Sequence, residues 1–151
     1  MRDSYDYNLK YKFFQSVQEI GRMNVFEFYP GRLDKLRMTY KNPGTYYLQE
    51  DALRPFNHAL HRALPSFEWY GNFCFRPVQV RDLWWEMYVL GRQIWSAPTP
   101  ASLRAMFHDW DGVDAANFIE RRAELVTMAE DLRTIAQISL KRNMPLWIIS
   151  P

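Results

Sequence analysis

The C-terminal third of the chain carries the pattern that most restricts its fold. From Asp114 to Arg142 no proline or glycine interrupts the sequence, and apolar residues recur every three or four positions, as on one face of an α-helix. Basic Lys141 and Arg142 suit the C-terminal end, where the helix dipole favours positive charge. A long helix over 114–142 is therefore predicted, with this buried stripe: Phe118, Leu125, Met128, Leu132, Ile135 and Ile138.

Two short segments predict a small sheet. Residues 146–149 form an apolar Leu-Trp-Ile-Ile run after the long helix, and such a run near the end of a chain stays ordered only when it is tied to other elements. Residues 66–77 alternate aromatic and other residues around Gly71-Asn72, which is typical of a strand or a hairpin. We expect both segments in one sheet.

The rest of the chain is predicted to be mostly helical. Residues 79–95 and 50–64 carry apolar stripes, and a short helix capped by Thr99 is expected from Pro100 to about Trp110. Residues 8–20 also show helical spacing. Residues 24–48 favour one or two strands, with a helical turn at 32–38. The fold class is thus α+β: one helix-dominated domain over 1–151 with a small sheet, the long C-terminal helix and a short terminal strand. The predicted core includes Leu83, Met87, Leu125, Leu132 and Ile135.

Composition excludes several classes of protein. The chain has 151 residues, one cysteine and a formal net charge of +2, with 48% hydrophobic residues. One cysteine cannot form an intramolecular disulfide framework, and the apolar content excludes a disordered chain. No apolar run approaches the roughly 18–20 residues of a membrane span, and the first residues lack the apolar stretch of a secretory signal. We therefore expect a cytoplasmic protein that does not enter the membrane.

Motifs that carry catalysis or bind metals are weak in this sequence. His58 and His61 share a helix face, and His108 with the nearby aspartates would complete a set of ligands, but no zinc signature is present. Cys74 lies between two phenylalanines with no local base to activate it. Glycine-rich phosphate loops are absent. We expect no catalytic residue, no metal site and no cofactor, and hence a non-enzymatic protein.

Aromatic residues make up 17% of the chain, which is high. Trp84 and Trp85 are neighbours on a predicted helix and point about 100° apart, so one core contact cannot hold both rings. Trp69-Tyr70 and Tyr46-Tyr47 present the same conflict on strands. Either some rings are exposed, as in binding hot spots and base-stacking surfaces, or they form an unusually thick core.

The last twenty residues, in which a long helix leads through Lys141-Arg142-Asn143 to the 146–149 run, resemble the ending of many small bacterial immunity proteins. These proteins neutralise toxins of contact-dependent or polymorphic secretion systems. The resemblance implies a cytoplasmic protein that binds a toxin domain, often a nuclease, and it carries over no individual residue.

The alternative is a nucleic-acid-associated regulatory protein. It would use the exposed aromatics and a basic N-terminal segment, in which few acids interrupt the positive charges. The basic residues are Lys10, Lys12, Arg22, Arg32, Lys35, Arg37 and Lys41.

The candidate site follows from the nuclease hypothesis. A nuclease cleft attracts phosphate, so its inhibitor should present negative charge. The densest acidic cluster is Asp109, Asp111 and Asp114, with Trp110 as an aromatic anchor. We therefore predict that Asp109, Trp110 and Asp111 bind the partner. The alternative is that Asp111-Gly112 is a turn and that Asp114 only caps the long helix.

Overall fold

A computed structural model describes residues 9–16, 24–33, 44–107 and 110–151. It has an α+β fold, in which helices cover one face of a four-stranded antiparallel sheet with the order β2-β1-β4-β3. The strands are β1 (Val25–Pro30), β2 (Tyr46–Gln49), β3 (Asn72–Phe75) and β4 (Leu146–Ile149). The predicted fold class is confirmed, including the long C-terminal helix followed by a short strand.

The helices are α1 (Glu50–Leu53), α2 (Asn57–Ala63), α3 (Pro77–Ser96), α4 (Pro100–Ala105) and α5 (Phe118–Arg142). The helix predicted over 50–64 is realised as α1, a 3₁₀ turn (Arg54–Phe56) and α2. Pro55 lies in that turn and has no N–H for an α-helical bond to the preceding turn, so the helix tightens there. The predicted cap of α4 is confirmed, because Thr99 Oγ1 accepts the Ser102 N–H at 3.1 Å.

Strand β4 pairs on both sides and lies inside the sheet. Ile148 is opposite Phe28 of β1 and Phe73 of β3, and Leu146 is opposite Pro30 and Phe75. These two rows face the helices; Phe28, Phe75, Leu146 and Ile148 belong to the main core, and Phe73 packs against it. The prediction that residues 146–149 are held by a sheet is confirmed.

The helical layer is built on α3 and α5, which pack against each other more extensively than any other two elements. All five predicted core residues are buried at this interface and beneath it, each with at most 1% of its surface exposed. They are Leu83, Met87, Leu125, Leu132 and Ile135.

The prediction of a strand or a hairpin over 66–77 is confirmed as a strand in its later part, and the hairpin alternative is wrong. Only residues 72–75 form a strand, and their partner is β4 rather than residues 66–70. Gly71 instead donates its N–H to Ser150 Oγ at 2.9 Å, while Ser150 N–H donates to the Gly71 carbonyl at 3.1 Å. A pairing with a distant strand has replaced the local turn.

The helix predicted over 8–20 is also wrong in its described part. Phe14 forms an isolated antiparallel bridge with Tyr47, and each N–H donates to the other carbonyl at 2.7–2.8 Å. The backbone hydrogen bonds of this segment therefore go to the edge of β2 rather than into a helix. Residues 17–20, and most of the turn predicted at 32–38, lie outside the described residues.

Helix α5 begins at Phe118 rather than near Asp114. Asp114 Oδ1 accepts the Asn117 N–H at 2.9 Å, and Asn117 Oδ1 accepts the Asp114 N–H at 2.8 Å. This reciprocal pair closes a turn over 115–117 just before the helix. Asp114 thus stabilises the approach to α5 and is not its N-cap.

Replacing Leu132 with alanine is expected to lower the free energy of unfolding by about 2–5 kcal/mol, because the side chain is fully buried between α5 and its neighbours. Thr127→Ala, on the exposed side of the same helix, should change it by less than about 0.5 kcal/mol. Urea unfolding of both variants measures the difference. Equal values would mean that the buried stripe of α5 is misassigned.

The sheet face opposite the helices holds a buried acid. Glu27 is opposite Tyr47 of β2 and Ile149 of β4, and only 5% of its surface is exposed. Its Oε1 has no hydrogen-bond partner among the described residues. Burial raises the pKa of this carboxyl above its ordinary value of about 4.5.

A raised pKa means that folding favours the protonated form, so the folded state binds more protons than the unfolded state above pH 4.5. The wild type is therefore expected to lose stability relative to Glu27→Gln as the pH rises above 4.5 through the folded-state pKa, and the two should converge at lower pH. Urea unfolding between pH 4 and 8 measures this difference. Glu68→Gln, the same change at an exposed position, is measured alongside as the control, and a flat Glu27→Gln difference would contradict the assignment.

Candidate partner-binding surface

Helix α3 carries apolar side chains on both of its faces. Leu83 and Met87 point into the core, whereas the outer face exposes Trp85 (55%), Val89 (47%) and Trp95 (60%). An ordinary surface helix keeps that outer face polar. We call the exposed face formed by Trp85, Val89, Arg92 and Trp95 the α3 ridge.

Three rings form a cluster along the ridge. Trp84 and Tyr88 stack with an interplanar angle of 1° and centroids 5.9 Å apart. Trp85 meets both rings edge to face, at 5.1 Å from Trp84 and 5.8 Å from Tyr88. Their spacing along the chain, at positions i, i+1 and i+4, brings these rings together on one side of the helix. The contacts fix the orientation of Trp85 at the surface.

Two arginines lie against these rings. The Arg133 guanidinium, from α5, is 5.4 Å from the Trp84 centroid and 5.3 Å from that of Tyr88. Arg92 lies one turn after Tyr88, 5.7 Å from its ring, and donates from Nη1 to the Tyr88 hydroxyl at 3.0 Å. Cation–π contacts of this kind hold guanidinium groups in place without neutralising their charge.

An open cleft of about 620 Å³ runs between α3 and α5 beside the ridge. Tyr88, Arg92, Trp95 and Arg133 line its walls, together with Glu130, and Met87, Gly91 and Val126 contribute its apolar part. A β-carbon added at Gly91 would lie 3.5 Å from that of Ala129, which is an ordinary contact. Gly91 therefore deepens the cleft without being required by the packing.

The cleft arginines lack acidic partners. Across residues 9–16, 24–33, 44–107 and 110–151, neither Arg92 nor Arg133 has a carboxylate oxygen within 4.0 Å. On the opposite side of α3, by contrast, Arg62 pairs with Glu86 at 2.7 Å, beside a smaller cleft that Trp85 also lines. The positive charge of the larger cleft is thus available to a ligand.

A second exposed aromatic lies away from the ridge. Tyr70 is 69% exposed, and its hydroxyl donates to Glu50 Oε1 at 3.1 Å, a bond that raises the pKa of Tyr70. Its neighbour Trp69 is half-buried and donates from Nε1 to the same oxygen at 2.9 Å. The expectation that some adjacent aromatics are exposed is confirmed for Trp85 and Tyr70.

The residues predicted to bind the partner do not form one exposed patch in the described structure. Trp110 is only 7% exposed, packs edge to face on Phe107, and donates from Nε1 to the Tyr11 hydroxyl at 3.3 Å. Its ring is therefore part of the core. Asp111 is exposed, and Asp109 lies outside the described residues. Partner contact through these aspartates stays a prediction.

Other candidate groups carry little chemistry. His58 and His61 lie on α2, and His108 is outside the described residues; within the described ranges no three metal-binding side chains converge. Burial raises the pKa of the Cys74 thiol, which Arg76 only partly opposes. Of the basic N-terminal residues, Lys10, Lys12 and Arg32 are described, and all three are exposed.

Comparison of the chain with protein-family models, curated proteins and solved structures gives no match. No helix in the described part of the chain is long and apolar enough to cross a membrane. The candidate function therefore depends on the geometry of the α3 ridge and its cleft.

The ridge has one signal in the sequence, which is a periodicity rather than a catalytic or metal-binding motif. Trp85, Val89, Arg92 and Trp95 repeat every three or four residues on the side of the helix opposite the Leu83 stripe. A second stripe of large side chains on one helix indicates a second contact surface. Arg133, which comes from α5, has no such signal because only tertiary packing brings it to α3.

Gly91→Ala is expected to raise the free energy of unfolding by about 0.5–1 kcal/mol, because alanine is the better helix former and its methyl group fits against Ala129. Thermal and urea unfolding measure this gain. A destabilised variant would show that α3 and α5 approach too closely for the methyl group.

Proposed function

We propose that this protein is a non-enzymatic protein-binding module: a cytoplasmic immunity protein that binds and neutralises a bacterial toxin domain. The observation that carries the proposal is the α3 ridge, where Trp85 and Trp95 are more than half exposed on either side of Arg92. Tryptophan and arginine are the residues most enriched in interface hot spots. The C-terminal pattern of the sequence supports the choice of an immunity protein.

The ring geometry favours a protein over single-stranded nucleic acid. Base stacking needs free ring faces, but the exposed Trp95 already has the Arg122 guanidinium 5.0 Å from its ring, and Trp84 and Tyr88 stack on each other and lie against Arg133. Glu86 is paired with Arg62, and Glu130 offsets one of the two arginine charges in the larger cleft, so the ridge lacks the continuous positive stripe that a phosphate backbone needs. The near-balanced charge of the chain agrees with this choice.

The test compares the wild type with the double variant Trp85→Ala/Trp95→Ala as bait in extracts of the native cells. The control is Tyr70→Ala, which removes an even more exposed aromatic outside the ridge. A toxin domain retained by the wild type and control is then purified for calorimetry. We expect one-to-one binding that abolishes its toxicity, and a dissociation constant at least 30-fold higher for the double variant, or about 2 kcal/mol.

Circular dichroism and thermal unfolding establish that the variants are folded. Equal affinity of the double variant and the wild type would remove the α3 ridge from the interface. A bound partner that keeps its full toxicity would exclude the immunity function while leaving a binding module. Asp111→Lys in the same assay tests the acidic segment, for which weaker binding is expected if it also contacts the partner.

A further inference from the structure

We infer that the cleft between α3 and α5 binds an acidic side chain of the protein partner, next to an aromatic or aliphatic residue of the same segment. This inference rests on the proposed function and adds the chemistry of the contact. It is carried by the juxtaposition of Arg92 and Arg133 on Tyr88 at the edge of the exposed ridge.

The two guanidinium groups are preorganised. Both lie within 6 Å of the Tyr88 centroid, and Arg92 donates one N–H to the Tyr88 hydroxyl. An arginine has five N–H donors in a planar fork that matches a carboxylate. Donors already held by stacking lose less conformational freedom when a ligand binds. A carboxylate entering the cleft would therefore find the oriented donors of two arginines.

The net charge of the cleft selects a single carboxylate. Arg92 and Arg133 contribute two positive charges and Glu130 one negative charge, which leaves one positive charge to be matched. A phosphate backbone would bring repeated charges past Glu130, whereas one aspartate or glutamate balances the site. Charge matching of this kind sets specificity at interfaces.

The apolar part of the cleft selects the residue that lies next to the acid in the ligand. Met87, Gly91 and Val126 line it beside the arginines, and the missing side chain at Gly91 provides room. An apolar side chain beside the acid would bury its surface there. The inferred ligand is therefore an acidic-apolar segment of a protein.

The test pans a phage library of random twelve-residue peptides against the full chain and measures the enriched sequences as synthetic peptides. We expect an Asp or Glu next to an aromatic or aliphatic residue. Replacing that acid by its amide should weaken binding to the wild type at least tenfold, and so should Arg92→Gln/Arg133→Gln in the protein. Because both changes remove the same contact, together they should cost little more than either alone.

Arg54→Gln is the matched control, since Arg54 also stacks on a tryptophan, Trp69, at 5.2 Å, but outside the cleft. It should bind the peptide like the wild type. Arg92→Lys/Arg133→Lys keeps the charge without the planar fork and should be intermediate. Thermal unfolding checks each variant. If the double Gln variant does not fold, the single Arg92→Gln variant, at an exposed position, must itself show the loss.

The inference would be overturned if no peptide were enriched or if the enriched peptides lacked acids. It would also be overturned if replacing the acid by its amide still weakened binding to the double Gln variant, or if a twelve-nucleotide oligo-dT bound more tightly than any peptide. Failure of the proposed function is separate. A toxin domain lost by Trp85→Ala/Trp95→Ala but retained by the double Gln variant would leave the function standing and reject the acidic contact. If peptides bind the cleft through an acid but no protein partner depends on Trp85 and Trp95, the acidic contact would stand and the proposed function would be rejected.

Discussion

The pairing of β4 with β1 and β3 is the constraint on which the rest of the structure depends. Without it the sheet would separate into the β1–β2 pair and an isolated β3, since no other strand in the described part of the chain joins them. Strand β4 follows α5 after a tight turn, in which Asn143 adopts the left-handed conformation (φ 50°, ψ 47°) and Met144 donates to the Ser139 carbonyl at 2.9 Å. This turn places α5 across the helical face of the sheet. The position of α5 in turn sets that of α3, and so the cleft.

Features that depend on neighbours along the chain could be predicted. Helices α3 and α5, the cap at Thr99 and the buried Leu132 stripe all follow from local spacing and local hydrogen bonds. The wrong predictions involve partners distant in sequence. The aromatic alternation around Gly71 suited a strand or a hairpin, and a strand formed with the distant β4 as its partner, while the helical spacing of residues 9–16 gave way to a bridge with Tyr47. Hydrophobic periodicity does not reveal which other strand a segment will pair with.

In the candidate site, too, local features could be predicted from the sequence and features made by tertiary packing could not. The acidic cluster was conspicuous because its residues are adjacent in sequence, yet Trp110 within it faces the core. The α3 ridge was partly visible as a conflict between Trp84 and Trp85, and the structure resolves that conflict by exposing Trp85. The cleft could not be predicted, because Arg133 reaches Tyr88 only when α5 packs on α3. Local sequence thus indicated which helix carries the surface, and tertiary packing supplied its charge.

The central place of β4 has a consequence for how the chain acquires its structure. Pro30 is paired with Leu146, so β1 cannot complete its hydrogen bonds until a segment from the far end of the sequence has closed one of the longest loops in the molecule. Contacts between such distant residues slow folding, because the entropy of loop closure is lost before the contacts form. Helices α3 and α5 have local hydrogen bonds and can form earlier. We therefore expect the sheet, and with it the burial of Phe28, to form after α3 and α5, and until then the edges of β1 and β3 that meet β4 are unpaired.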